Sequence, residues 1–120
     1  MIRLMLRRRK RNTKASPQVG AVARAWYALL QEEQRAGTDW SLEDLRQVID
    51  GELLPALGDR SVGSITRSEI EKLYDELEDR GGNSDRFLWV VSEIFRHAES
   101  EGLRPRGTNP CIYVKPMAGG

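Results

Sequence analysis

The sequence predicts an all-α fold in which four short helices pack as a bundle. Four segments of the 120-residue chain carry apolar residues at the spacing of one helix face, and no segment shows the alternation typical of a strand. Residues that begin or end helices, namely serine, threonine, proline and glycine, separate these segments. A chain of this length buries one modest core, so we expect one small domain, or one domain with a tail.

The first helix is predicted over residues 17–36. Ser16 is a suitable N-cap, Pro17 suits the first helical position, and Gly37 ends the helix. The apolar stripe that should face the core consists of Val19, Val22, Ala23, Trp26 and Leu30.

The second helix is predicted over residues 42–54, with Ser41 as its N-cap and Asp44 at the position of a capping-box partner. Gly51 in a helix interior costs about 1 kcal/mol relative to alanine, so we expect a bend or fraying there. Pro55 is expected to stop this helix.

The third helix is predicted over residues 67–80 and has the strongest start signal in the chain. Thr66 is its N-cap and Glu69 the capping-box partner, while Ile65 and Ile70 hold the two positions of a hydrophobic staple. This junction should set the angle between the second and third helices.

The fourth helix is predicted to start near Ser84 and to end before Gly102. Its apolar stripe is the widest of the four, which is typical of the most buried helix in a bundle. The stripe is formed by Phe87, Leu88, Val91, Ile94, Phe95 and Ala98.

Charge is distributed unevenly along the chain. The net charge is +1, yet residues 1–16 alone carry seven arginines and lysines and no acid, so the remaining residues are mildly acidic. Residues 1–15 are predicted to be a flexible basic arm or linker, residues 16–103 the folded domain, and residues 104–120, rich in proline, glycine and asparagine, a linker.

The sequence offers no catalytic constellation, so we expect that this chain alone is not an enzyme and needs neither cofactor nor metal. His97 is the single histidine and lies beside a core residue, and Cys111, the single cysteine, has no neighbouring base. No phosphate-binding loop and no metal-ligand spacing is present. Without an apolar run of roughly 18 residues we expect no membrane partner and a cytoplasmic location, with an Arg-rich mitochondrial presequence as the alternative.

Nucleic-acid binding has better candidates. Arg46 and Gln47 lie on the polar side of the second helix and have side chains able to read base edges. On the fourth helix, Arg86, Trp89, Glu93 and Arg96 share a face. An exposed tryptophan between two arginines suits a groove or a protein partner; the alternative is that Trp89 covers an edge of the core. The basic run at residues 7–11 suits phosphates, or is only a solubilising arm.

The order and spacing of the helix-punctuating motifs resemble the core-binding domain of phage-type integrases, the tyrosine recombinases, over about residues 17–116. The motifs are Trp26, Trp40-Ser41, Leu54-Pro55-x-x-Gly58, Ile65-Thr66-x-x-x-Ile70, Arg86-x-Leu88, Ser92-x-Ile94-Phe95-x-x-Ala98-x-x-x-Gly102 and Asn109-Pro110-Cys111. Glu93 departs from the pattern, because a neutral or basic residue would better suit a DNA-facing surface, and residues 104–108 form an insertion.

The resemblance implies an orthogonal, SAM-like bundle of four helices whose second and fourth helices face double-stranded DNA at the core recombination site. It implies that residues 104–120 lead toward a catalytic domain absent from this chain, and that the full-length protein is a tyrosine recombinase that self-associates on DNA in a bacterial or phage-infected cell. The DNA contacts it implies are Arg46, Gln47, Ser84, Arg86, Ser92 and Arg96, with Arg60 and Arg67 as weaker phosphate contacts.

Two alternatives remain open from the sequence. One is a helical protein–protein interaction module in which Trp89 anchors the partner. The other is a small helix-turn-helix regulator, although the connection of about 11 residues between the second and third helices is long for that motif.

Overall fold

The computed structural model describes residues 16–33 and 40–114, and in these ranges it confirms the all-α class, with four helices and no strand. Helix α1 spans Val19–Glu33, α3 spans Arg67–Asp79 and α4 spans Ser84–Ser100. Helix α2 has three consecutive parts: an α-helical part Leu42–Val48, a π-helical turn Ile49–Leu53 and an α-helical end Leu54–Leu57. A short 3₁₀ turn, Val62–Ser64, lies between α2 and α3.

Helix α4 forms the centre of the core, as the width of its apolar stripe predicts. Phe95 and Ile94 are completely buried and Phe87 is 2% exposed, whereas Leu88, also assigned to the stripe, is only half-buried. Helices α1, α2 and α3 pack their own apolar faces against this centre, so one continuous core runs through the bundle.

The start of α1 differs from the prediction, because the helix begins at Val19 and Ser16 does not cap it. The Ser16 hydroxyl instead lies 2.7 Å from the Ser61 hydroxyl. The loop after α2 supplies acceptors for the first helical N–H groups, since Val19 donates to the Arg60 carbonyl at 2.8 Å. A side-chain cap is therefore unnecessary. The predicted end of this helix, at Gly37, lies outside the described residues.

The capping box of α2 is confirmed, but the stop at Pro55 is wrong. Ser41 accepts a hydrogen bond from the Asp44 backbone and Asp44 accepts one from the Ser41 backbone, both at 3.0 Å. The helix passes through Pro55, because the preceding π-turn shifts the backbone bonding so that Leu54 donates to Ile49. In a regular α-helix the proline ring clashes with the carbonyl group four residues before it. The π-turn changes the position of that carbonyl relative to the ring. The distortion expected at Gly51 takes the form of this π-turn.

The junction before α3 is confirmed in detail. Thr66 and Glu69 form a reciprocal capping box. The staple residues Ile65 and Ile70 are 2% and 0% exposed, so they connect the cap directly to the core.

Residues 104–114, predicted as part of a linker, pack against the bundle. The Arg104 guanidinium lies 5.3 Å from the centre of the Phe95 ring and donates to the carbonyls of Val62 and Ile65 at 2.9 Å each. Cys111 and Val114 are 4% and 5% exposed and belong to the core. The packed part of the chain thus extends past residue 103; the division into domains itself stays a prediction.

Among the described residues, none of the helices combines the length and apolar character that a membrane crossing requires.

Candidate nucleic-acid interface

Helices α2 and α4 lie side by side at their N-terminal halves. The Asp44 carboxylate is 3.6 Å from the Arg86 guanidinium, and the Trp40 and Trp89 rings meet edge to face with centroids 5.5 Å apart. We call the polar side chains that these two helices carry, taken together, the α2–α4 face. It comprises Glu43, Asp44, Arg46, Gln47 and Asp50 of α2 with Arg86, Glu93 and Arg96 of α4.

Trp89 is not the exposed side chain predicted from the helix spacing. It is half-buried and makes a second edge-to-face contact with Trp26, whose ring centroid is 6.4 Å away. Edge-to-face packing of this kind stabilises aromatic clusters. Trp89 therefore covers an edge of the core, as the alternative interpretation of the sequence has it.

Arg46 and Gln47 are exposed, as predicted, and both make hydrogen bonds to Glu43. The Arg46 guanidinium donates to the two carboxylate oxygens at 3.2 and 3.3 Å, and the Gln47 amide donates at 3.4 Å. Asp50 lies 3.5 Å from the other side of the guanidinium. The hydrogen bond with Glu43 raises the pKa of Arg46, so its charge is permanent.

Arg86 is half-buried against α2. Its side chain is 24% exposed, its guanidinium pairs with Asp44, and its Nε atom is buried without a hydrogen-bond partner among the described residues. The side chain lines a cleft of about 140 Å³ together with Gln47, Val48, Glu52, Leu77, Asn83 and Phe87. Arg86 and Gln47 thus meet at the same cleft.

Neither of the two serines predicted to contact DNA is exposed. Ser84 is 6% exposed, so its side chain offers little surface to a duplex, and its DNA contact stays a prediction. Ser92 is half-buried, and both its hydroxyl and its carbonyl accept hydrogen bonds from the Asn109 amide at 3.2 Å. Ser92 therefore holds the packed C-terminal segment against α4.

Arg96 extends the α2–α4 face along the fourth helix. Its side chain is 69% exposed and lies 3.4 Å from Glu93. It lies ten positions after Arg86, which is about 15 Å along the helix axis.

Arg60 and Arg67 lie apart from this face, near the start of α3. Arg60 pairs with Glu69 and Arg67 lies 3.7 Å from Glu71. Within residues 16–33 and 40–114, no ion pair or hydrogen bond links either arginine to the α2–α4 face. The Ser16–Ser61 contact places Ser16 next to the loop that contains Arg60, and residues 1–15 lie outside the described residues.

Glu43, Asp44 and Asp50 were not predicted from the sequence to pair with arginines of this face, whereas Glu93 was recognised as an acid on a DNA-facing surface. The spacings of Glu43, Arg46 and Asp50, and of Glu93 and Arg96, are those of neighbouring side chains on a helix, so the sequence contained this signal. The Asp44–Arg86 pair had no such signal, because its members are on different helices.

The part of the chain that matches a known family includes both helices of the candidate interface. A family model described as the phage integrase central domain matches residues 19–112, which include all four helices and most of the packed C-terminal segment. The chain belongs to this family. A search of curated proteins and a search of solved structures each found no match.

This phage integrase central domain has an integrase-related role in recombination, in which DNA is the partner that the family implies. The match includes the central domain and no catalytic domain. The integrase resemblance predicted from the helix punctuation is thereby confirmed.

Proposed function

We propose that this phage integrase central domain binds duplex DNA at the core recombination site through its α2–α4 face. The observation that carries the proposal is the side-by-side position of α2 and α4, held by the Asp44–Arg86 pair and the Trp40–Trp89 contact. Gln47 of α2 and Arg86 of α4 line the same cleft, which supports a DNA contact shared by the two helices.

The side chains on this surface suit both kinds of DNA contact. Guanidinium groups bind phosphate oxygens or the edge of guanine with two parallel hydrogen bonds, and a glutamine amide pairs in the same way with adenine. Arg96, about 15 Å from Arg86 along α4, would reach a phosphate about four base pairs away, given a spacing of about 3.4 Å per step. We assign Arg46, Gln47, Arg86 and Arg96 to the interface, with Ser92 at its edge. Arg60 and Arg67 remain secondary phosphate contacts.

The charge balance supports weak binding by the domain alone. The α2–α4 face carries three arginines and four carboxylates, so its field attracts phosphate little. We expect a dissociation constant in the non-specific range of about 10⁻⁴–10⁻⁶ M at physiological salt. The seven basic residues within residues 1–16 add salt-dependent phosphate contacts.

We further propose that the tyrosine nucleophile belongs to a separate catalytic domain of a full-length tyrosine recombinase, which self-associates on its DNA site. Two of the three tyrosines of the core-binding region support this, whereas the third, Tyr113, is 76% exposed. Tyr27 donates to the Leu42 carbonyl at 3.0 Å, and Tyr74, 6% exposed, donates to Asp85 at 3.0 Å. Burial raises the pKa of Tyr74, which makes it a poor nucleophile.

The alternative of a protein-interaction module anchored on Trp89 has lost its main support, because Trp89 packs between Trp26 and Trp40. A helix-turn-helix regulator is also disfavoured. The connection between α2 and α3 contains a 3₁₀ turn and an extended stretch instead of a tight turn.

An NMR titration of the chain with a short mixed-sequence duplex at low salt tests the proposal. We expect amide shifts at residues 43–50 of α2 and 86–96 of α4, and weaker binding by Arg46→Ala and Arg96→Ala. Lys72→Ala, on the exposed side of α3, is the matched control. Shifts that avoid both helices, or equal effects of the three substitutions, would refute the assignment.

A further inference from the structure

We propose that Glu43 competes with DNA for the DNA-binding side chains of α2, a role that we call the guard. It holds Arg46 and Gln47 in an intramolecular network that a duplex has to displace before either side chain engages it. The inference rests on the proposed function, since it assigns a regulatory role within the same surface.

The geometry places one carboxylate at the meeting point of both side chains. Arg46 donates to Glu43 from Nε at 3.4 Å and from Nη2 at 3.2 Å, and Gln47 donates from its amide at 3.4 Å. A carboxylate and a phosphate present similar pairs of oxygens to a guanidinium fork. Glu43 therefore occupies the donors that a DNA phosphate or base edge would otherwise use.

Glu43 can be replaced without removing a contact on which the fold depends. The capping box of α2 uses the carboxylate of Asp44, which leaves that of Glu43 without a capping role. The Glu43 side chain is 56% exposed and contributes nothing to the core. Replacing Glu43 by glutamine removes the charge and retains the size of the side chain.

The same arrangement recurs across the α2–α4 face. Arg96 has Glu93 at 3.4 Å, and Arg86 has Asp44 at 3.6 Å. Each arginine of the face thus has a carboxylate that competes with DNA. Such competition penalises any duplex that offers fewer contacts than the intramolecular pairs, and it favours the site that offers more.

The test compares Glu43→Gln with Glu78→Gln by fluorescence anisotropy of a labelled mixed-sequence duplex at low salt. Both changes remove one negative charge, but Glu78 lies on α3 outside the face and is exposed. We expect Glu43→Gln to tighten binding about two- to fivefold more than Glu78→Gln, the range that exposed ion pairs reach. The change frees Nε and Nη2 of Arg46, whereas Asp50 still accepts from Nη1. A phosphate bound by the freed donors should also steepen the salt dependence by about 0.9 in the logarithmic slope.

A double substitution separates release of Arg46 from a general change in field. In the Arg46→Gln background we expect the gain from Glu43→Gln to shrink to that of Glu78→Gln, because the main donor is gone. An undiminished gain overturns the guard, as does equality of the two single variants. Weaker binding by Glu43→Gln also overturns it, since Glu43 would then contact DNA itself, for example the amino group of cytosine.

The outcomes distinguish the guard from the function on which it rests. If the wild-type chain and its variants all fail to bind duplex, the proposed function fails and the guard with it. If binding maps to α2 and α4 while Glu43→Gln behaves as Glu78→Gln does, the guard alone is wrong. Circular dichroism of each variant verifies that the helices are retained.

Discussion

Asp44 caps its own helix and also pairs with a side chain of another: its carboxylate accepts from the Ser41 N–H at 3.0 Å and lies 3.6 Å from the Arg86 guanidinium. The first contact belongs to the capping box at the start of α2, and the second joins this start to the N-terminal half of α4. Asp44 therefore contacts both helices of the candidate interface, although the sequence identified it only as a capping-box partner.

The first prediction concerns Asp44 and pH. The Ser41 backbone hydrogen bond, with further help from Arg86, lowers the pKa of Asp44 below its ordinary value of 3.8. A carboxyl with a lowered folded pKa stabilises the fold above its unfolded pKa, and this contribution is lost as pH falls through the folded value.

Urea denaturation of the wild type and Asp44→Asn, followed by circular dichroism, measures this contribution. We expect a lower midpoint for Asp44→Asn near neutral pH and convergence of the two midpoints once the pH falls well below 3.8. Asp79→Asn, an exposed acid at the end of α3, is the control. A difference in midpoint that does not change with pH would contradict the assignment.

The second prediction concerns the aromatic cluster around Trp89. Trp89→Ala removes two edge-to-face contacts and opens the edge of the core, so we expect a loss of about 2–3 kcal/mol of unfolding free energy. Leu29→Ala, at a side chain that is 45% exposed, should stay within about 0.5 kcal/mol. Equal stabilities of the two variants in urea would show that Trp89 lies outside the core.

The third prediction concerns Arg104, which ties the C-terminal segment to the α2–α3 connection. Arg104→Ala leaves the carbonyls of Val62 and Ile65 without their charged donor and removes the contact with Phe95. We expect a loss of about 2 kcal/mol, and only partial recovery in Arg104→Lys, because an ammonium lacks the planar fork.

Hydrogen exchange measures how firmly residues 104–114 are held. We expect their amides to exchange faster in Arg104→Ala than in the wild type. Arg106→Ala, at an exposed neighbour, is the control and should leave both stability and exchange unchanged. Unchanged exchange in Arg104→Ala would mean that the core contacts of Cys111 and Val114 suffice to hold the segment.

The fourth prediction concerns the Cys111 thiol. Burial raises the pKa of Cys111 to about 12, so almost no thiolate is present in the folded chain at mildly alkaline pH. We expect slow reaction with an aromatic disulfide reagent in native buffer and fast reaction in concentrated urea, with the native rate following the opening of the segment. The Cys111 thiol should therefore react faster in the Arg104→Ala variant than in the Arg106→Ala variant. Rapid native labelling of the wild type would contradict the burial of this residue.

Local sequence signals predicted the helix starts well where the partners lie close along the chain. The capping boxes at Ser41 and Thr66 and the starts of α2, α3 and α4 follow from contacts within three or four residues. The prediction failed at Ser16, because carbonyls of the α2–α3 connection accept from the first N–H groups of α1, and at Pro55, because the π-turn directly before it lets the helix continue.

In the candidate site, too, the sequence predicted what depends on neighbouring positions and not what depends on distant ones. Arg46, Gln47 and Arg96 could be identified as exposed polar residues because helical periodicity alone places them away from the apolar stripe. The burial of Ser84, the engagement of Ser92 by Asn109 and the half-buried position of Trp89 could not, because each depends on a neighbour distant in sequence.

The sequence by itself determined the all-α class, the helix order and the resemblance to an integrase domain, because short-range periodicity and capping encode them. Only the tertiary structure decided that Asp44 of α2 pairs with Arg86 of α4 and that Trp40 and Trp89 meet there. It also decided that residues 104–114 belong to the packed body. The physical reason is that ion pairs, ring contacts and core burial between helices depend on distances in space, which spacing along the chain does not specify.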